Sequence, residues 1–334
     1  MKLVSVLSFL LFFFFFANAQ QIKILTDSSK ISLRGLSVVN DNVIWGSGSS
    51  GKVARSIDGG KNFEWITVKG YEQRDFRDIE AFDANTALIM AVAEPAVMLK
   101  TKDGGKTWKE VFHNDTKGMF LDAIDFDGKI GCVIGDPVSS KAFQAISFDS
   151  GETWKQATLF SKDSLSEGEE FFAASGTNIK MYGSHHGKPE IYCVSGGKES
   201  NFYADNKQII LPVIQGKEST GANSIAAWDK KHLIVVGGDF ANDKDSTDNC
   251  VYSDNSGKTW LKPKTSPHGY RSCVAYITKN KLICCGTSGV DISNDGGLNW
   301  KLISNESFNV CAKAKKGAAV FLAGRNGTIA MIVQ

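Results

Sequence analysis

Thr101-Lys102-Asp103-Gly104-Gly105-Lys106-Thr107-Trp108 decides the fold, because the chain repeats it. The pattern is a hydroxyl residue, an acid and a glycine at alternate positions, closed by an aromatic. It recurs as Ser56-x-Asp58-x-Gly60-x-Asn62-Phe63, Ser147-x-Asp149-x-Gly151-x-Thr153-Trp154, Ser253-x-Asn255-x-Gly257-x-Thr259-Trp260 and Ser293-x-Asp295-x-Gly297-x-Asn299-Trp300. The acid falls at positions 58, 103, 149, 255 and 295, with Asn in the fourth copy. The intervals are 45, 46, 106 and 40 residues, and the long one is close to two units. A period of this size means one supersecondary unit stacked many times.

Around each motif the grammar is constant: an apolar strand, a turn, a second apolar strand, a loop, a third strand, the Asp motif, a fourth strand. In the second unit these are Arg77–Phe82, Ala87–Val92, Val97–Thr101 and Trp108–Phe112. Alternating apolar and β-branched residues favour strands, and Gly/Asn/Asp clusters favour turns. No segment offers a convincing amphipathic helix. Four antiparallel strands repeated radially make a propeller blade. Aligning innermost strands gives starts at Arg34, Arg77, Asp122, Phe171, Asn223, Arg271 and Asn309, so the expected fold is an all-β, seven-bladed β-propeller of four-stranded antiparallel blades. The fourth blade lacks the Asp motif, and Ser195-Gly196-Gly197-Lys198 reads as a worn copy in its place. The last blade stops after its third strand, Thr328–Val333; the spare strand Gln21–Leu25 is expected to pair there as the fourth. That closes the ring and removes an exposed sheet edge.

The motif has a structural explanation. A tight turn between third and fourth strands needs Gly for positive φ. The acid and the hydroxyl satisfy backbone N–H groups of that turn. The aromatic packs between blades, where burial contributes about 1.5–3 kcal/mol. Asp58, Asp103, Asp149, Asn255 and Asp295 are therefore read as structural.

The pattern resembles the Asp-box, or BNR, repeat of sialidases, sortilin-type receptors and related propellers. With seven blades and an export signal, the chain looks most like the photosystem II stability/assembly factor family, over nearly all of its length beyond the signal. That resemblance implies a binding module that helps assemble or stabilise an envelope protein complex. No haem, flavin or iron–sulfur ligand pattern appears in the sequence, so no cofactor is expected.

Residues 1–19 read as a secretory signal: Lys2, the apolar run Phe9 to Phe16, then Ala17-Asn18-Ala19 as a cleavage pattern. Residues 20–334 are expected to form one propeller domain, exported to the periplasm or outside the cell, monomeric and without a membrane span. The formal net charge is +2 with both signs interspersed, so no nucleic-acid surface is expected. Seven cysteines sit in predicted strands and read as buried thiols. Cys273 and Cys311 hold matching places in neighbouring repeats, where a disulfide is possible in an exported protein. No Cys/His spacing reads as a zinc site, and no metal is expected.

Propeller topology places the Asp motifs on one face and the starts of the inner strands on the other, here called the top. The candidate ligand-binding residues are on the top: Arg34, Arg77 and Arg271, with Asp122 and Asn223 completing a mouth, and Asp75, Glu94, Asp136, Glu170 and Asp239 around it. Asp78, Glu169, His185, His186 and Arg325 lie nearby. Arginine forks grip carboxylates or phosphates, so the expected partner is an envelope peptide, a C-terminal carboxylate or an anionic small ligand or glycan. The competing reading is a closed network of arginines and acids. The sialidase comparison nominates Tyr71, Tyr270, Asp75 and Glu170 for glycoside hydrolysis, but Arg34 is followed by Gly35-Leu36 and not the family's Ile-Pro, and sialidases have six blades. Catalysis is therefore not expected. Gly46-Ser47-Gly48-Ser49-Ser50-Gly51 matches a dinucleotide fingerprint in letters only, since it joins two expected strands. Asp243, Asp245 and Asp248 lie in an oxygen-rich loop without the glycine and glutamate of a calcium site.

Overall fold

A computed structural model describes residues 20–27, 30–160, 164–183, 189–205 and 207–333. The expected signal and the His185-His186 pair lie outside them. The chain folds as a seven-bladed β-propeller of antiparallel sheets. Blade 1 is Leu33–Val38, Ile44–Gly48, Lys52–Ser56 and Glu64–Thr67; blade 2 is Phe76–Ala81, Ala87–Ala91, Ala96–Thr101 and Lys109–Asn114. Blades 3 and 6 follow the same order from inner strands Leu121–Asp127 and Cys273–Tyr276. Blade 5 starts at Thr220–Ala227, and its outermost position is only a bridge between Tyr252 and Leu261. Blade 7 closes the ring as expected: Gln21–Thr26 pairs antiparallel with Ile329–Val333, Gln21 facing Val333.

The cores lie between blades. Trp45, Phe76, Ile89 and Leu99 are fully or almost fully buried between blades 1 and 2, and Leu88, Met98, Leu121 and Val133 between blades 2 and 3. Each blade thus buries both faces, which explains its near-continuous apolar strands. Among the described residues no helix is long and apolar enough to cross a membrane.

The Asp motifs close the third-to-fourth strand turns. In the second, the Thr101 hydroxyl accepts from Gly105 N at 2.9 Å while Asp103 accepts from Thr107 N at 2.9 Å. Gly105 needs its positive φ of 91°, and a Cβ there would meet Ile66. The Asp103 carboxyl is held down to about 2 by the hydroxyl and backbone N–H of Thr107. Asn255 makes the same bond, from Thr259 N at 3.0 Å, without the charge. That is why Asn serves in the fourth copy.

Blade 4 departs from expectation. Its inner strand is Ile179–Tyr182, not the stretch from Phe171. Glu169–Glu170 pairs with Gly196–Gly197, and pairing resumes only at Ile179 opposite Cys193. Between them residues 171–178 leave the sheet. Ser195–Lys198 is therefore no worn Asp motif: it lies at the top end of the second strand, while the third and fourth strands, Asn201–Ala204 and Lys207–Ile210, meet with Ala204 facing Lys207. A two-residue connection there leaves no room for the motif.

Candidate functional site

The inner strands of blades 1, 2, 3 and 5 share one irregularity near their upper ends. Register slips between Leu33 and Gly35, Phe76 and Asp78, Leu121 and Ala123, and Ala222 and Ser224. The extra residues are Arg34, Arg77, Asp122 and Asn223. A bulge re-aims its side chain and ends regular pairing, so four blades present a polar residue at the same level. Blade 4 expands this position into the 171–178 excursion, which crosses the channel. Ser175 Oγ donates to Ser272 O at 2.7 Å, Ile225 N donates to Thr177 O at 2.9 Å, and Arg34 Nη1 donates to Ala174 O at 3.3 Å. Gly176, at φ 68°, lies so close to Asp78 that a Cβ would come within 2.2 Å of its carboxyl carbon. The excursion plugs the channel and floors an open top cavity of about 460 Å³.

Three arginines line that cavity: Arg34, Arg77 and Arg325. Arg325 is exposed on a three-residue 3₁₀ turn, Arg325–Gly327, between the second and third strands of blade 7. Arg77 Nε donates to Asp75 at 2.8 Å, and its guanidinium lies 5.6 Å from the Phe120 ring centre. Arg34 has no carboxylate within ion-pair distance among the described residues; its bond is to the plug carbonyl. Burial, and then the like charge of Arg77, lowers its pKa. Asp136 and Glu170 line the opposite side. Burial raises the Asp136 carboxyl to about 7, and Asp136 accepts from Phe171 N at 2.9 Å. An aromatic wall joins the two sides, with Phe172 packed edge-on against Phe240 and Phe240 against Tyr270. Asn223 also lines the cavity and accepts from the Tyr270 hydroxyl at 2.8 Å.

Several sequence candidates stand elsewhere. Arg271 is wholly buried and does not reach the cavity. Its N–H bonds Gly237 O just as Leu33 N bonds Gly324 O, so Arg271 occupies the place of Leu33 and Ser272 that of Arg34. A one-residue offset turns a side chain to the other side of a strand. The Arg271 guanidinium is committed to Asp291, His268 O, Tyr270 O and Ser288. Asp122 is wholly buried and does not line the cavity; its carboxylate oxygens make no close hydrogen bond, and the Asp136 N–H that bears on them donates to Phe120 O at 2.9 Å. Burial, then the charge of Asp136, pushes the Asp122 pKa well up. Asp75 braces Arg77. Glu94 accepts from Gly118 N at 2.9 Å outside the cavity, and Asp239 accepts from Ala241 N at 2.9 Å in a turn. Glu169 is buried in blade 4, taking bonds from Ser166 N, Asn201 and Tyr203.

Of the residues nominated for hydrolysis, Tyr270 and Glu170 line the cavity, Asp75 is bonded to Arg77 at its edge, and Tyr71 lies outside it. The Tyr71 hydroxyl donates to Glu110 at 3.0 Å. Tyr270 is 4% exposed, and burial raises its pKa. The glycine run Gly46–Gly51 joins two antiparallel strands. Asp248 pairs with Lys262 at 2.7 Å. All seven cysteines are free and buried, with the Cys273 and Cys311 sulfurs 3.7 Å apart. Sequence reasoning missed the plug, Phe172, Phe240 and the weight of Arg325. The small residues Ala173-Ala174-Ser175-Gly176 were the available signal for the plug.

No family model and no curated protein matches the sequence. The fold is similar to YCF48 bound to D1 peptide, at 18% identity and TM-score 0.64, covering 95% of this chain and 97% of that one. It is also similar to YCF48 from Cyanidioschyzon merolae, at 15% identity and TM-score 0.64, covering 93% and 98%. A third similar structure is the GH74 enzyme of Niastella koreensis, at 14% identity and TM-score 0.63, covering 92% of this chain and 53% of that one. At these identities the likeness is one of fold: this chain is a seven-bladed β-propeller.

Proposed function

We propose that the chain is an exported binding module of the assembly- or stability-factor kind, and that its top cavity grips a peptide segment by a carboxylate, at the C-terminus or on a side chain. One observation carries this reading. Arg34 is half-buried beside Arg77, with Arg325 on the neighbouring blade at the same end of the cavity, and has no carboxylate of its own among the described residues. A guanidinium so placed favours an incoming anion strongly, because the desolvation cost is already met by the fold. The aromatic wall and the plugged floor suit a chain lying across the top, not through the channel. The fold's likeness to a propeller bound to a peptide supports the choice of ligand class, as analogy. Export rests on the sequence of residues 1–19. Panning random peptides with free C-termini against wild type and an Arg34→Gln/Arg325→Gln variant tests the reading. Wild type should enrich peptides rich in carboxylates or with a shared C-terminal sequence; equal enrichment by both proteins would refute it.

A second reading, glycoside hydrolysis, is favoured by one feature. Asp136, raised to about 7 beside Glu170, is in the range of a general acid. Turnover of fluorogenic glycosides that is lost in Asp136→Asn would establish it.

A further inference from the structure

The central cavity adjoins a second one of about 550 Å³. Asp136 and Glu170 line both, and Glu167 lines the second. Charge is divided along this path. Arg34 and Arg325 hold one end, and the three acids hold the other. Within reach of the Asp136 backbone N–H stands Asp122, wholly buried, whose carboxylate oxygens make no close hydrogen bond. It lies within electrostatic reach of Asp136 and Glu170. The cation bearing on it is Arg77, whose Nε is bonded to Asp75. Among the described residues, Asp122, Asp136 and Glu170 have no ion-pair partner. Carboxylates that outnumber the one cation near them, Arg77, destabilise one another, and a further positive group among them reverses that term.

We propose that this acidic end is a second subsite of the same groove, which takes a Lys or Arg side chain of the peptide whose carboxylate Arg34 and Arg325 hold. The inference rests on the peptide-binding reading above. The plug gives the spacing. Glu170 stands at the acidic end, and Ala174, four residues on, is bonded to Arg34. Four residues span at most about 14 Å, so the basic residue falls within about four positions of the carboxylate. The ligand is thus a segment with its cation and anion in fixed order, which an arginine cluster alone would not select.

The probe is a set of fluorescent octapeptides of Gly, Ser and Phe with a free C-terminus. Lys is placed at each position in turn, with norleucine at the same position as the uncharged control. Wild type should bind the best Lys peptide about tenfold more tightly than its norleucine twin, with the optimum within four residues of the terminus. Asp136→Asn/Glu170→Gln should lose that preference. Glu170→Lys, at an exposed position, should turn it into a preference for Glu over Lys, a gain that misfolding cannot produce. Free acids bound better than amides, with Lys and norleucine equal everywhere, would overturn the acidic subsite alone. Free acids and amides bound equally would overturn the peptide-carboxylate reading beneath it.

Discussion

Arg34 donates a 3.3 Å hydrogen bond from Nη1 to the carbonyl oxygen of Ala174, 140 residues away in sequence. The bond ties the first blade's bulge to the plug of the fourth. It fixes one donor of the guanidinium and leaves the others without a carboxylate among the described residues. Arg34→Gln should therefore weaken binding of an anionic peptide about 10- to 100-fold, the worth of a charged hydrogen bond in a partly dry site. Fluorescence anisotropy reads the loss, and an unchanged thermal midpoint separates it from unfolding.

The plug depends on Gly176. An alanine there meets the Asp78 carboxyl carbon at 2.2 Å and must hold φ at 68°. Gly216, at φ 107°, has nothing within 4 Å of its notional Cβ. Gly176→Ala should destabilise the fold by several kcal/mol, as overpacking adds to backbone strain; Gly216→Ala should cost about 1–3 kcal/mol from strain alone. Urea unfolding of the pair checks the difference.

Asp122 and Asp136 make stability fall with rising pH. Both carboxyls are raised by burial, Asp136 to about 7, with Asp122, Glu170 and Arg77 as the charged neighbours. A raised carboxyl holds its proton more tightly when folded. Stability is therefore lost as pH climbs from the unfolded value of about 4 through the folded one. Asp122→Asn should raise stability at pH 8 by about 1–3 kcal/mol and leave it nearly unchanged near pH 4. Thermal melts from pH 4 to 8 read both.

In the Asp motif the hydroxyl should matter more than the charge. Thr101 is 1% exposed and its oxygen is the acceptor for Gly105 N. Thr101→Val keeps the shape and strands that N–H, at a cost of about 1–3 kcal/mol. Asp103→Asn reproduces what Asn255 already does and should unfold at nearly the wild-type urea midpoint at neutral pH.

The fold was legible because its signals are local and repeated. The Asp turns, the strand alternation and the spare Gln21–Thr26 strand all follow from short-range pattern. What escaped were departures from the repeat. Phe171-Phe172-Ala173-Ala174-Ser175 has the composition of an inner strand, and only the tertiary contacts of Ser175 and Thr177 show that it leaves the sheet. Arg271 has the residue type of Arg34 but the register of Leu33, and one position decides between a side chain that lines the cavity and a buried partner of Asp291. Asn223, Asp136 and Glu170 were placed near the mouth by topology alone, because loop order in a propeller sorts side chains by face.

The most direct measurement is a calorimetric titration of wild type with one panned peptide, prepared as the free acid and, for its carboxylates, as the amide. The acid should bind at least about tenfold more tightly, and this advantage should disappear in Arg34→Gln/Arg325→Gln. Equal affinity for acid and amide, or an advantage that survives in the variant, would contradict the peptide-carboxylate reading.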